Sequence, residues 1–178
     1  MKMSKKQQYR SFSKRLTRRM NDMMTRDTSM TIFVTFFAGV LDLDSGRLCY
    51  CNAGHKEPVM IPQFSLLKTK QRNLPVGATS DWVFTQQETT LAPGTTLFLY
   101  TDGLDEAENA QCQMFGKERI KEVLQKTSPE PRTLIKQMTQ AVADFVGDTE
   151  QSDDLTMLAL HYAGHSHSIV AGGLEEMS

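Results

Sequence analysis

The stretch Leu97-Phe98-Leu99-Tyr100-Thr101-Asp102-Gly103 decides the fold. Its apolar and aromatic residues predict a buried strand over Thr95–Tyr100 that runs directly into an acidic turn. A second segment has the same design in reverse, because Asp153 and Asp154 immediately precede the apolar residues 155–160. The sequence therefore predicts two rigid strands, each with a carboxylate at one end.

The two strand-end carboxylates, Asp102 and Asp153, are candidate metal ligands. Hard cations such as Mg²⁺ and Mn²⁺ prefer oxygen ligands, and Gly103 lets the backbone come close to an ion. The alternative is that both carboxylates are ordinary solvated turn residues, since acidic side chains are mostly exposed. The spacing alone leaves both interpretations open.

Along the whole chain, the hydrophobic pattern predicts a helix, then several strands, two helices and a last strand. Residues 31–43 read as a buried strand that turns at Asp44-Ser45-Gly46 and returns over residues 47–52. Short strands are expected at residues 58–61 and 64–67, with a partly alternating segment at 82–91. Helices are expected at residues 8–25, 117–126 and 131–146. Hairpin connections of this kind predict an α+β fold with antiparallel pairing.

The first helix has an uneven composition. Its apolar face is predicted from spacings of three and four, at Phe12, Leu16, Met20, Met23 and Met24. Basic side chains crowd the beginning of the chain, and these are Lys2, Lys5, Lys6, Arg10, Lys14, Arg15, Arg18, Arg19 and Arg26. They indicate either a solvated helix face or an arm that binds nucleic acid or an anionic membrane. With few aromatic residues nearby, stacking on single strands is poorly supported, and we expect no nucleic-acid partner.

Length and composition exclude several classes of protein. The 178 residues suit one domain, and 39% hydrophobic content with a net charge of −1 is typical of a globular chain. No apolar run approaches the ~20 residues that span a bilayer, and no signal peptide is recognisable. Three cysteines, Cys49, Cys51 and Cys112, form no disulfide framework. We expect free thiols in a reducing cytoplasm, without membrane insertion.

Several ordered segments resemble the bacterial SpoIIE-like branch of the metal-dependent (PPM-type) protein serine/threonine phosphatases. The resemblance covers about Phe12 to Leu160. Its segments are Phe33-Val34-Thr35-Phe36-Phe37-Ala38-Gly39-Val40-Leu41-Asp42, Tyr50-Cys51-Asn52-Ala53-Gly54-His55, Leu74-Pro75-Val76-Gly77, Leu91-Ala92-Pro93-Gly94, Leu99-Tyr100-Thr101-Asp102-Gly103-Leu104-Asp105-Glu106-Ala107, Phe115-Gly116 and Asp153-Asp154-Leu155-Thr156.

This resemblance implies two stacked antiparallel β-sheets flanked by helices, with two Mn²⁺ or Mg²⁺ ions at one end of the sandwich. No side chain is expected as the nucleophile, because a metal-activated water attacks the phosphoserine or phosphothreonine. By position, Asp102, Gly103 and Asp153 correspond to metal-binding residues and Asp154 to a supporting residue. Asn52 and His55 would lie near the cleft, where His55 either orients a phosphate or satisfies a turn.

The resemblance also has a gap. Family members begin with strands that carry a Gly-Asp segment whose Asp bridges both metals, and nothing before Phe33 matches it. Residues 1–162 are therefore predicted to form a partial phosphatase domain with its first strands missing, and residues 163–178 a flexible tail. His161, His165 and His167 are interpreted as accidental residues of that tail rather than a metal-binding tract.

Two functions remain open. The first is hydrolysis of phosphoserine or phosphothreonine on a regulatory protein of the anti-sigma-factor-antagonist type, with a homodimer possible. The second is a non-catalytic module of the same fold that binds a partner protein.

Overall fold

The computed structural model describes residues 11–26, 32–149 and 153–164. These residues form two compact units. The first comprises the described residues up to His55 together with Lys68–Leu91, and the second comprises Lys56–Leu67 and the described residues from Ala92 onward. The elements in chain order are α1 Phe12–Arg26, β1 Phe36–Leu41, β2 Arg47–Ala53, β3 Val59–Ile61, β4 Ser65–Leu66, β5 Gln87–Thr90, β6 Thr95–Tyr100, α2 Asp102–Asp105, α3 Gly116–Lys126, α4 Pro131–Val146 and β7 Met157–Tyr162.

The first unit contains an antiparallel sheet of order β1-β2-β5. The predicted hairpin is confirmed, with Leu41 paired to Leu48 across the turn. The Asp42 carboxylate accepts the backbone N–H groups of Asp44 and Ser45, both at 3.1 Å, and these bonds lower the pKa of Asp42. Gly46 has φ 69°, which a glycine adopts without steric cost.

The buried strand predicted for residues 31–43 is too long. Ile32, Phe33 and Val34 are 55%, 61% and 46% exposed. Val34 makes only an isolated bridge to Val76, and the ladder with β2 begins at Phe36. The apolar composition resembles that of a buried strand, but this segment passes the Val76–Gly77 turn instead of continuing into the sheet.

The predicted apolar face of the first helix is correct only in part. Met20 and Met24 are partly buried and pack against the core of the first unit, whereas Phe12 and Met23 are exposed. The fully buried positions of α1 are polar, and these are Ser13, Thr17 and Asn21. Asn21 holds a neighbouring loop: its Nδ2 donates to the Thr79 carbonyl at 2.9 Å, and its Oδ1 accepts the Gly77 N–H at 2.8 Å. Burying this stripe satisfies backbone groups that an apolar stripe would leave without partners.

The second unit contains an antiparallel sheet of order β4-β3-β6-β7. Its core holds Phe98 of β6 with Leu104, Leu124 and Leu134, each 1% exposed or less. The helices at 117–126 and 131–146 and the two short strands are confirmed at these places. The predicted α+β class, with antiparallel sheets flanked by helices, is therefore confirmed.

The end of the chain differs in part from the expectation. The last strand extends to Tyr162 and so includes His161, whose Nδ1 lies 2.8 Å from the hydroxyl of buried Thr96. His161 is thus a residue of the sheet and not of a tail. His165, His167 and the rest of the predicted tail from residue 165 lie outside the described residues. The single domain over residues 1–162 stays a prediction.

Two remaining expectations concern the cysteines and the membrane. Cys49, Cys51 and Cys112 are free thiols, the first two of them buried. Within the described parts of the chain, no helix has the length and apolar character needed to span a bilayer.

The polar face of α1 generates the first prediction. Asn21→Ala removes two part-buried hydrogen bonds, to the loop groups of Gly77 and Thr79, so the free energy of unfolding should fall by about 1–3 kcal/mol. Met23→Ala on the same helix is the matched control, since Met23 is 68% exposed. Urea unfolding followed by circular dichroism measures both. Equal stabilities of the two variants would contradict the assignment of a buried polar face.

The start of α4 generates a pH prediction. The Glu130 carboxylate accepts the backbone N–H groups of Arg132 at 3.0 Å and Thr133 at 2.7 Å, and bonds from Thr133 and Arg132 lower its pKa from the ordinary 4.5. The unfolded chain therefore takes up this proton first as the pH falls. Stability from Glu130 should be present above pH 4.5 and decline as the pH falls through the lowered pKa. In Glu130→Gln this part of the acid-induced loss should be absent, so unfolding curves that fall equally in both proteins would refute it.

Candidate metal centre

The pairing of β6 with β7 brings the two acidic segments together. Tyr100 at the end of β6 pairs with Met157 at the start of β7. The pairing continues one residue further, since the Thr101 N–H donates to the Thr156 carbonyl at 3.0 Å and the Thr156 N–H donates to Thr101 Oγ1 at 3.2 Å. In an antiparallel pair the end of one strand adjoins the beginning of the other. Asp102 and Asp153 consequently lie at the same end of the pair.

Gly103 sets how closely the two segments approach. A Cβ atom on this buried glycine would lie 2.3 Å from the carbonyl oxygen of Asp154 and 3.4 Å from that of Asp153. Only a residue without a side chain permits this contact. Gly103 therefore acts through its missing side chain, and the metal-binding role of its backbone stays a prediction.

Asp102 begins α2, a single helical turn. Its carbonyl accepts the Glu106 N–H at 2.9 Å, while its side chain is exposed. Thr101 precedes the turn in an extended conformation and provides no side-chain cap. Instead its hydroxyl donates to the Asp154 carbonyl at 3.3 Å, which ties the turn to the second acidic segment.

Asp153 and Asp154 are exposed and precede the buried Leu155. Asp153 Oδ1 accepts the Asp154 N–H at 2.8 Å, which leaves its second oxygen directed away from this bond. Asp154 contributes its backbone carbonyl to the contacts with Thr101 and Gly103. The supporting role predicted for its side chain stays a prediction.

The donor set fits an oxygen-preferring cation in part. Neither Asp102 nor Asp153 takes part in a salt bridge with any described residue, so both carboxylates lack a fixed counter-charge. In residues 11–26, 32–149 and 153–164, however, no three His, Cys, Asp or Glu side chains are grouped so that they could hold a metal ion. Two carboxylates would bind such a cation only as part of a larger ligand set.

Asn52 and His55 belong to the first unit, where they close a tight turn. Asn52 is buried; its Oδ1 accepts the His55 N–H at 2.8 Å and its Nδ2 donates to the His55 carbonyl at 2.9 Å. The His55 ring Nδ1 lies 3.4 Å from the Thr35 hydroxyl. Asn52 thus has a structural task, and the phosphate-orienting role of His55 stays a prediction.

Sequence reasoning missed an ion pair between the partly buried Lys56 and the buried Asp105 of α2. Asp105 is 7% exposed, and its Oδ1 lies 2.5 Å from Lys56 Nζ. The Tyr100 ring lies 6.0 Å from the same ammonium group, and burial, with a smaller contribution from Asp105, raises the pKa of Tyr100 to about 12. The sequence held little signal for this pair, because Asp105 stands among other acidic residues and its partner lies 49 positions earlier.

The chain is similar in sequence to known proteins. The family model of stage II sporulation protein E (SpoIIE) matches residues 5–163. Protein IcfG of Synechocystis is 32% identical over 139 residues, which cover 77% of this chain and 22% of that protein. The chain thus spans about a fifth of the length of this relative.

Two solved structures are similar in fold. The phosphatase domain of the Bacillus subtilis cell-fate determinant SpoIIE, presoaked with Mn, matches with a TM-score of 0.61 and 15% identity over 94% of this chain and 76% of that one. RsbX in complex with magnesium matches with a TM-score of 0.56 and 15% identity over 82% of this chain and 62% of that one. At these identities the likeness concerns the fold alone.

The contact at Gly103 generates the third prediction. Helix propensity alone would make Gly103→Ala stabilising by up to ~1 kcal/mol. The contact with the Asp154 carbonyl should reverse the sign and destabilise the protein by about 1–3 kcal/mol, because two backbone segments must separate. Gly39→Ala is the control, since a Cβ there meets the movable Leu48 side chain at 3.2 Å. Urea unfolding of both variants checks the sign, and a stabilised Gly103→Ala would contradict the close approach.

Proposed function

The chain belongs to the SpoIIE family, and from this premise we propose that it carries out metal-dependent hydrolysis of phosphoserine or phosphothreonine on a regulatory protein. The observation that carries the proposal is the placement of Asp102 and Asp153 at one end of the β6–β7 pair, with Gly103 packed against the Asp154 carbonyl. The expected substrate is of the anti-sigma-factor-antagonist type, and the expected place of action is the cytoplasm.

In this proposal each residue of the site has a separate task. Asp102 and Asp153 offer carboxylate oxygens to Mn²⁺ or Mg²⁺, and Gly103 lends its backbone while keeping the two segments together. Thr101 fixes the spacing of these segments through its bonds to Asp154 and Thr156. Bound divalent ions would supply Lewis acidity, lowering the pKa of water and neutralising phosphate charge.

The metal part of the proposal has two kinds of support. The carboxylates are exposed, lie close to the adjoining ends of β6 and β7, and form no salt bridge to the described residues. The structural neighbours include a domain presoaked with Mn and a protein in complex with magnesium. A complete centre with two ions needs further ligands, which the described residues do not group at this place.

The same observation about the ligand set favours a second candidate function. A chain of this fold with two carboxylates and no completed set would serve as a non-catalytic module that docks a partner protein. Calorimetry separates the two functions: a folded chain that gives no heat with millimolar Mn²⁺ or Mg²⁺ would be the module.

The test of catalysis uses a phosphothreonine peptide as the probe. We expect phosphate release that requires Mn²⁺ and stops with EDTA, and that falls about 100-fold in Asp102→Asn because a ligand charge is lost. Asp81→Asn, an exposed carboxylate of the first unit, is the matched control and should change the rate by less than about twofold. Turnover that persists in EDTA, or that is unaffected by Asp102→Asn, would exclude the proposed mechanism.

A further inference from the structure

We propose that Lys56 is a positioning residue that holds the Asp102 turn in place through its ion pair with the buried carboxylate of Asp105. The inference rests on the proposed function, in which Asp102 binds a metal. The pair itself is a property of this chain's own side chains, at 2.5 Å between Lys56 Nζ and Asp105 Oδ1.

The helical turn that carries Asp102 is too short to be stable without contacts to other parts of the chain. The helix α2 has four residues, and so short a helix is unstable by itself because nucleation fixes several residues for one hydrogen bond. Thr101 provides no side-chain cap. The orientation of Asp102 must therefore come from contacts with other parts of the second unit.

Those contacts reach the turn from both neighbours of β6. On the β7 side, Gly103 packs against the Asp154 carbonyl. On the β3 side, Lys56 stands three residues before Val59, which pairs with Phe98 of β6. Leu104, fully buried, anchors the turn to the core between these two contacts. The Lys56–Asp105 pair thus supports the Asp102 turn on the β3 side, as the Gly103 contact does on the β7 side.

The charge of Asp105 explains why its partner in this contact must be a cation. Its side chain is 8% exposed, and a carboxylate this deeply buried needs a counter-charge. Lys56 is its salt-bridge partner among the described residues. The second contact of Lys56, with Glu106 at 3.8 Å, involves a side chain that is 59% exposed and contributes little.

Removal of Lys56 leaves the Asp105 carboxylate without compensation. Outward movement of the turn would rehydrate the carboxylate, and the backbone bonds of the turn would weaken with it. These are the bonds from the Leu104 N–H to the Thr101 carbonyl at 3.1 Å and from the Glu106 N–H to the Asp102 carbonyl at 2.9 Å. Asp102 lies on this same turn, so its carboxylate would lose its fixed position.

The experiment compares Lys56→Met with Lys56→Arg in the full chain. The first readout is hydrogen exchange at the Leu104 and Glu106 amides, and the second is the Kd for Mn²⁺ by calorimetry. Lys56→Met should speed exchange and weaken Mn²⁺ binding by about 10-fold each, whereas Lys56→Arg should stay within about threefold of the wild type. Lys126→Met is the matched control, because its pair with Glu122 is exposed, and it should alter neither readout.

The outcomes separate a positioning role from a structural one. If Lys56→Met lowers only the urea midpoint and leaves exchange and Mn²⁺ binding unchanged, the proposal is wrong. If the wild type binds no Mn²⁺, the proposed function fails, and exchange at the two amides alone decides whether Lys56 holds the turn. Should Lys56→Met not fold, Asp105→Asn removes the pair and leaves no buried carboxylate, while the Lys56 ammonium is 28% exposed and keeps its contact with Glu106. Unchanged exchange in that variant would overturn the proposal.

Discussion

The central position of β6 in its sheet is the constraint on which the candidate site depends. β6 pairs with β3 on one side and with β7 on the other. Both pairs are antiparallel, so the chain that leaves β6 at Thr101 lies beside the segments that precede β3 and β7. A one-residue shift in the register of β6 would turn its side chains to the opposite face of the sheet. Hydrogen bonding within the sheet thus fixes the point at which the acidic turn begins.

Beyond the end of the β6–β7 pair, close contact between two backbone segments holds the acidic residues in place. Gly103 and the Asp154 carbonyl touch because no side chain intervenes, and Thr101 bridges the same two segments through its hydroxyl. Carboxylates held in this way suit metal binding, since a preorganised set avoids the cost of ordering its ligands when the ion arrives. In the proposed function this part of the fold would supply the preorganisation, and catalysis would depend on how many ligands complete the set.

The first unit uses a different device, in which buried amide side chains organise loops. Asn21 binds the loop at Gly77 and Thr79. Asn73, also buried, donates to the carbonyls of Asn52 and Thr85 and accepts the Thr85 N–H. Loop backbone carries polar groups that need partners when it is covered, and an amide can donate and accept at once. This explains why polar residues occupy positions that a hydrophobic pattern would assign to apolar ones.

The sequence by itself determined the α+β class, the Asp42–Arg47 hairpin, the strand Thr95–Tyr100 and the helices after it, because each is encoded by local periodicity and turn chemistry. It also singled out Asp102, Gly103 and Asp153 as candidates. Only the tertiary structure decided that α1 buries Ser13, Thr17 and Asn21, that Phe33 is exposed, and that Lys56 pairs with Asp105. Each of these depends on a partner distant in sequence, and hydrophobicity along the chain carries no information about which polar group will meet which.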